Sequence, residues 1–261
     1  MNFTETIRSS KLVDVSRRLG VEQRLHDLYW TVFPLFIDER YRATVGGASA
    51  EFHLSTPAER HNLRDSDFLG EREIMRHLLA RVRPGDVFYD VGAQFSAYSC
   101  LVSDLLDEGS VVAFDPDTRR VARIETNFGL NGVNGSVLPY ALSDRRGERG
   151  FKLSTGELTE CRGTEVEITT VDHLVDEGTV PAPTIMKIDV EGAELEVLRG
   201  MTETMERSLP QLIYCEMHEA VGTNSVREFL RDHEYAVSEL DSHSTFLYAR
   251  SKQIADSEAP R

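Results

Sequence analysis

Two aspartates, Asp90 and Asp115, stand twenty-five residues apart, and each closes a short apolar run. A carboxylate in that position can accept hydrogen bonds from a ligand. After Asp90 the chain reads Val91-Gly92-Ala93-Gln94-Phe95-Ser96-Ala97-Tyr98. A glycine at such a turn lets a ligand approach the backbone. The helix that follows would favour an anionic group at its start. Asp90 itself suits a ligand amine. Asp115, followed by Pro116, sits where an acid commonly holds both hydroxyls of a ribose. It also suits the cap of the next helix. Nicotinamide-binding domains share this spacing, but their fingerprint needs glycine at 92, 94 and 97. Only Gly92 is present, so that cofactor is disfavoured.

A second group lies further on. Asp189 closes the apolar run TIMKIDV (184–190). Burial on one side should raise its proton affinity, which suits a general base acting on a hydroxyl. Its plain alternative is a helix cap. Glu216 and His218 are two residues apart on another apolar run, so they point to one side. His218 could equally serve as the base. Asp189, Glu216 and His218 together would also make a set of hard oxygens plus imidazole for a divalent metal, the less favoured reading. Glu191 is expected to cap the following helix, with Glu194 and Glu196 on its solvated face.

The elements that must carry these residues alternate. Apolar runs at 86–91, 111–114, 136–140, 184–190 and 211–217 read as strands. Helical patterns between them span 97–106, 118–130, 193–205 and 225–232. That order implies βαβ units and a parallel sheet, an α/β fold. Residues 235–240 and 244–249 read as two closing strands; their short connection makes one antiparallel. An inserted hairpin is expected within 150–170. Before the sheet come helices at 12–19 and 24–33, a hairpin turning at Gly46-Gly47, and a helix at 71–82. The division expected is 1–70 as an N-terminal extension, 71–251 as the main domain, and 252–261 as a frayed tail. Trp30 lies in an apolar stretch, and 28–36 could make a contact between copies of the chain.

The net charge of −15 disfavours nucleic acid and anionic lipid as partners. No run is long and apolar enough for a membrane span, and no secretory leader is visible. Cys100, Cys161 and Cys215 are scattered, which suits reduced thiols and a cytoplasmic protein. Only four of the 29 basic residues are lysine, a bias of proteins that work in concentrated salt, or of GC-rich coding.

The segment Lys187-Ile188-Asp189-Val190-Glu191-Gly192-Ala193-Glu194, with Val197-Leu198 and Gly200, resembles the signature of the FkbM family of methyltransferases. Other matches stand in register: D-V-G-A from Asp90, A-F-D-P from Ala113, Asn127 with Asn131, A-L-S-D from Ala141, T-V-D from Thr170, and E-M-H from Glu216. The resemblance covers about residues 70–250. It implies a doubly wound, mostly parallel seven-stranded sheet binding S-adenosylmethionine (SAM), with methyl transfer to oxygen. The acceptor it implies is a hydroxyl on a sugar, glycan, lipid-linked or small molecule. It implies that Asp90 and Gly92 flank the methionine part, that Asp115 takes the ribose hydroxyls and that Ser143 and its neighbours lie near the adenine, with Ala93, Gln94, Tyr98 and Pro116 also binding the cofactor. Asp189, Glu216 and His218 would face the acceptor. The family usually reads D-V-G-A-N-x-G; here Gln94 and Ser96 depart from it. A second reading therefore stays open, a methyltransferase-like protein that binds without turnover.

Overall fold

The computed structural model describes residues 39–153, 155–160, 163–207, 210–218, 222–240 and 244–255. The expected helices at 12–19 and 24–33, and the contact stretch 28–36, lie outside them. Strands β1 (Glu39–Val45) and β2 (Ala48–Leu54) form the expected hairpin. Short helical turns lead to α1 (Arg72–Leu79). Then come β3 (Val87–Val91), α2 (Ala97–Ser103), β4 (Ser110–Phe114), α3 (Thr118–Asn131) and β5 (Gly135–Leu138). Next are β6 (Ala141–Leu142), β7 (Gly147–Phe151), β8 (Leu158–Thr159), β9 (Thr164–Thr169) and α4 (Val171–Asp176). The last part holds β10 (Ile185–Ile188), α5 (Glu194–Arg199), α6 (Thr202–Glu206), β11 (Leu212–Met217), α7 (Thr223–Asp232), β12 (Tyr235–Leu240) and β13 (Thr245–Ser251).

The main sheet has seven strands in the order β12-β13-β11-β10-β3-β4-β5. Only β13 runs against its neighbours, β11 and β12. The pleat sorts side chains to two faces. Phe88, Val111, Ala113, Ile185 and Tyr214 pack beneath the hairpin and α1 to α3. Tyr89, Val91, Val112, Phe114, Met186, Ile188 and Ile213 face the opposite layer. Apolar layers on both faces explain why these strands read as unbroken apolar runs.

Three expectations need correction. The inserted segment is more than a hairpin: β6 to β9 form a separate sheet ordered β6-β9-β7-β8. The helix expected over 193–205 is split at Gly200 and Met201 into α5 and α6. A Cβ at residue 200 would lie 1.9 Å from the carbonyl oxygen of Ser143, so glycine is required there. In the tail, Lys252–Ala255 form a helical turn, and 256–261 lie outside the described residues.

The hairpin is tied to the sheet by the asparagine pair on α3. Asn131 accepts from the amide of Glu51 and donates to its carbonyl, both at 2.7 Å. Asn127 accepts from the amide of His53 at 3.1 Å and donates to the carbonyl of Phe95 at 3.1 Å. Asn127 thus joins the hairpin to the loop that leaves β3.

Candidate active site

The loops at the carboxyl ends of β3, β4, β10 and β11 meet where an open α/β sheet binds its ligand. Gly92, with φ +78°, sits beneath the loop after β10. A Cβ there would lie 1.9 Å from the Asp189 carbonyl oxygen, so the two loops touch only because residue 92 is glycine. Gln94 (φ 47°) and Ser96 (φ 60°) are both left-handed. These are the two departures from the family pattern, and each non-glycine side chain there costs conformational energy. Ser96 is fully buried and its hydroxyl donates to the Phe95 carbonyl at 2.6 Å.

Two clefts open on either side of this loop. The first is lined by Gly92, Gln94, Asp115, Pro116, Arg120 and Asp189, among others. The inserted sheet also contributes, through Phe151, Thr155, Gly156 and Leu158. The second is lined by Glu71, Ala93, Tyr98 and Lys187, among others. Gly92, Gln94 and Asp189 belong to both.

Asp115 is buried, with one oxygen accepting from the Gln94 amide at 3.1 Å and the other from the Asp117 amide at 2.9 Å. Burial pushes its carboxyl up, opposed by the Arg120 guanidinium 3.5 Å away. The cap of α3 is Asp117, not Asp115. Asp90 is turned inward. One of its oxygens accepts from the amide (3.2 Å) and hydroxyl (2.7 Å) of Ser99. The other lies 3.7 Å from Lys187 Nζ without a hydrogen bond. Ser143 also faces away from the clefts: its hydroxyl donates to Glu196 at 2.8 Å, while Tyr140, Ala141 and Leu142 line the first cleft instead.

Sequence reasoning passed over Lys187. It is buried, donates to Asp189 at 2.9 Å, and stands 5.2 Å from the centroid of the Tyr98 ring. Burial alone would push its ammonium down, but Asp189, Asp90 and Glu71 outweigh that and keep it charged. The signal was legible: a lysine inside a buried apolar strand needs partners, and residue 189 shares its face. Lys187 also reverses the expectation for Asp189. Burial pushes that carboxyl up, yet the Lys187 charge and hydrogen bond hold it below its ordinary value.

Asp189, Glu216 and His218 do come together, each offering an atom within 4.8 Å of the others. Burial and the neighbouring Asp189 charge push Glu216 up to about 7. The hydrogen bond to Glu194 raises His218 to about 9 against its burial, with Glu191 and Asp189 adding to the rise. Glu194 is not on a solvated face: it is fully buried, 2.7 Å from His218 Nδ1. Glu191 does not cap α5 but stands 3.4 Å from His218 Nε2. Glu196 is only part-exposed and binds Ser143 and Arg149. These roles are missed by helical periodicity because α5 begins only at Glu194, after an irregular turn.

The lining residues match SAM in chemistry: Asp115 in the first cleft and Glu71 and Lys187 in the second are the carboxylate and ammonium types that hydroxyls, an ammonium and a carboxylate would pair with.

A profile of the methyltransferase FkbM domain matches residues 90–237. The chain is 29% identical over 218 residues to the hexuronic acid methyltransferase AglP of Haloferax volcanii, covering 80% of this chain and 87% of that one. It is 28% identical over 207 residues to the 31-O-demethyl-FK506 methyltransferase FkbM of Streptomyces tacrolimicus, covering 64% and 78%. Among solved structures, precorrin-6y C5,15-methyltransferase of Geobacter metallireducens aligns with a TM-score of 0.47 at 18% identity, over 69% of this chain and 89% of that one. Signature, strand order and the match over most of the sheet agree: the chain belongs to the FkbM family of SAM-dependent methyltransferases.

Proposed function

We propose that the chain transfers the methyl group of SAM to a hydroxyl oxygen of a sugar acid or closely related sugar, as a cytoplasmic enzyme. One observation carries this reading: Asp189, which lines both clefts, stands beside a carboxyl near neutrality and a cationic imidazole. The relative that acts on hexuronic acid points to the acceptor class. The two described cysteines are free and buried, which suits a reducing compartment.

The acceptor oxygen attacks the methyl carbon in line with the sulfonium. A C–O bond forms, the S–C bond breaks, and the sulfur leaves as a neutral thioether. Alignment supplies most of the acceleration. Glu216 takes the hydroxyl proton, since a base is most effective when its pKa lies near the working pH. Asp189, kept anionic by Lys187, orients the hydroxyl. His218, charged at neutral pH with Nδ1 fixed by Glu194, offers Nε2 to the carboxylate of the sugar acid.

A second reading has its own observation. Asp189, Glu216 and His218 would hold a divalent cation, since two carboxylates and an imidazole lie within reach of one point. Glu194 would then be the buried carboxylate that usually orients a ligating histidine. Such a cation would lower the pKa of the acceptor hydroxyl.

The test is a transfer assay with SAM bearing a trideuterated methyl group, on methyl glucuronide, methyl galacturonide and methyl glucoside, with and without EDTA. Label on a uronide that survives alkali marks an ether and supports the hydroxyl reading. Activity lost in EDTA and restored by magnesium selects the metal-assisted form. Cofactor binding without label on any sugar sinks the proposal and favours the binding-only reading.

A further inference from the structure

We propose that Glu71, not Asp90, is the carboxylate that receives the α-ammonium of SAM; this rests on the reading that the two clefts bind SAM. With the ribose at Asp115, the amino-acid end would run past Gly92 and Gln94 to the second cleft, since those residues and Asp189 line both clefts. An ammonium taken out of water there needs an acceptor, and a carboxylate gives the strongest hydrogen bond. Three acids stand near. Asp90 lines neither cleft and is held by Ser99. Asp189 is engaged by Lys187. Glu71 lines the cleft, with Oε2 held by the Tyr98 hydroxyl at 2.8 Å. Lys187, lining the same cleft, gives the opposite charge that the amino acid's carboxylate requires.

The chain before Glu71 is unusual. Asp67, Phe68 and Leu69 have φ of 51°, 59° and 56°, three successive left-handed residues without a glycine among them. Such strain persists only where surrounding contacts over-determine it. Here Phe68 is driven into the core, 6.4 Å from the Phe52 ring, and Arg72 clamps Asp67 at 2.7 Å. The turn thereby delivers Glu71 to the rim of the cleft at the start of α1. Burial pushes the Glu71 carboxyl up, the Lys187 charge pulls it down, and the Asp189 charge adds to the rise.

Calorimetric titration tests this with S-adenosylhomocysteine and with 5′-methylthioadenosine, which shares the adenosine and sulfur but lacks the amino acid. Glu71→Gln should bind the first about 10- to 100-fold more weakly, the range for losing a hydrogen bond between charged groups. It should bind the second as the wild type does. Glu71→Asp, which withdraws the carboxylate by one methylene, should fall between, and it replaces Glu71→Gln should that variant fail to fold. Binding of S-adenosylhomocysteine within twofold of wild type, or equal loss of both ligands, overturns the assignment. Wild-type protein that binds neither ligand refutes the cofactor reading itself, a separate outcome.

Discussion

Lys187 and Asp189 share one face of β10, their charged groups 2.9 Å apart and largely sealed from solvent. Removing the cation would leave Asp189 and Asp90 as buried, uncompensated charges. Lys187→Met should therefore cost about 3–5 kcal/mol of stability, the range for breaking a buried pair from one side. Adding Asp189→Asn should recover part of it, since neighbouring sites are not additive. Urea denaturation of both variants checks this; a loss below about 1 kcal/mol for Lys187→Met would show that water reaches the pair.

Asp115 lines the first cleft while its oxygens hold the amides of Gln94 and Asp117. Asp115→Asn keeps the shape and removes the charge. Affinity for S-adenosylhomocysteine should fall about 10- to 100-fold, with 5′-methylthioadenosine losing as much because the ribose is common to both. Unequal losses would place the ribose elsewhere.

Ser96 takes a left-handed φ of 60° in the position where the family usually has glycine. Ser96→Gly removes that strain but frees the unfolded chain. The net expectation is a gain of up to about 1 kcal/mol, with cofactor affinity retained. A melting temperature that falls by several degrees would show that the Ser96 hydroxyl on Phe95 matters more than the backbone.

The pKa of His218 is raised from 6.5 to about 9 on folding. A raised pKa means that the folded state binds the proton more tightly. Its stabilising share is thus complete below about pH 6.5 and disappears as pH climbs through about 9. The urea midpoints of wild type and His218→Gln should differ most near pH 6 and converge by about pH 10. A gap that does not narrow would assign the stabilisation to packing.

Much of this was legible beforehand. Strand and helix alternation gave the α/β order, and the short connection before β13 gave its antiparallel direction, since backbone periodicity is local. The gathering of Asp189, Glu216 and His218 followed from strand ends. What a linear chain conceals is which partner claims a polar group. Asp90 looked available until it was seen to line neither cleft, with one oxygen held by Ser99. Ser143 looked like a cofactor contact until Glu196 was seen to hold its hydroxyl. Glu194, taken for a solvated helical residue, lies buried because the turn at 189–193 resets the phase of α5. Glu71 belongs to a segment far from the signature and is delivered by a left-handed turn that no residue-type pattern announces.

The amide of Asn131 meets both the N–H and the C=O of Glu51, and Asn127 takes the N–H of His53. Two side chains on a helix thus act as a surrogate strand along the outer edge of β2. An unpaired edge is where foreign strands add and chains begin to associate. Here that edge is already occupied by groups that cannot propagate a ladder, so β2 is guarded against templated aggregation by two amides, one of which, that of Asn127, also fastens it to the loop after β3.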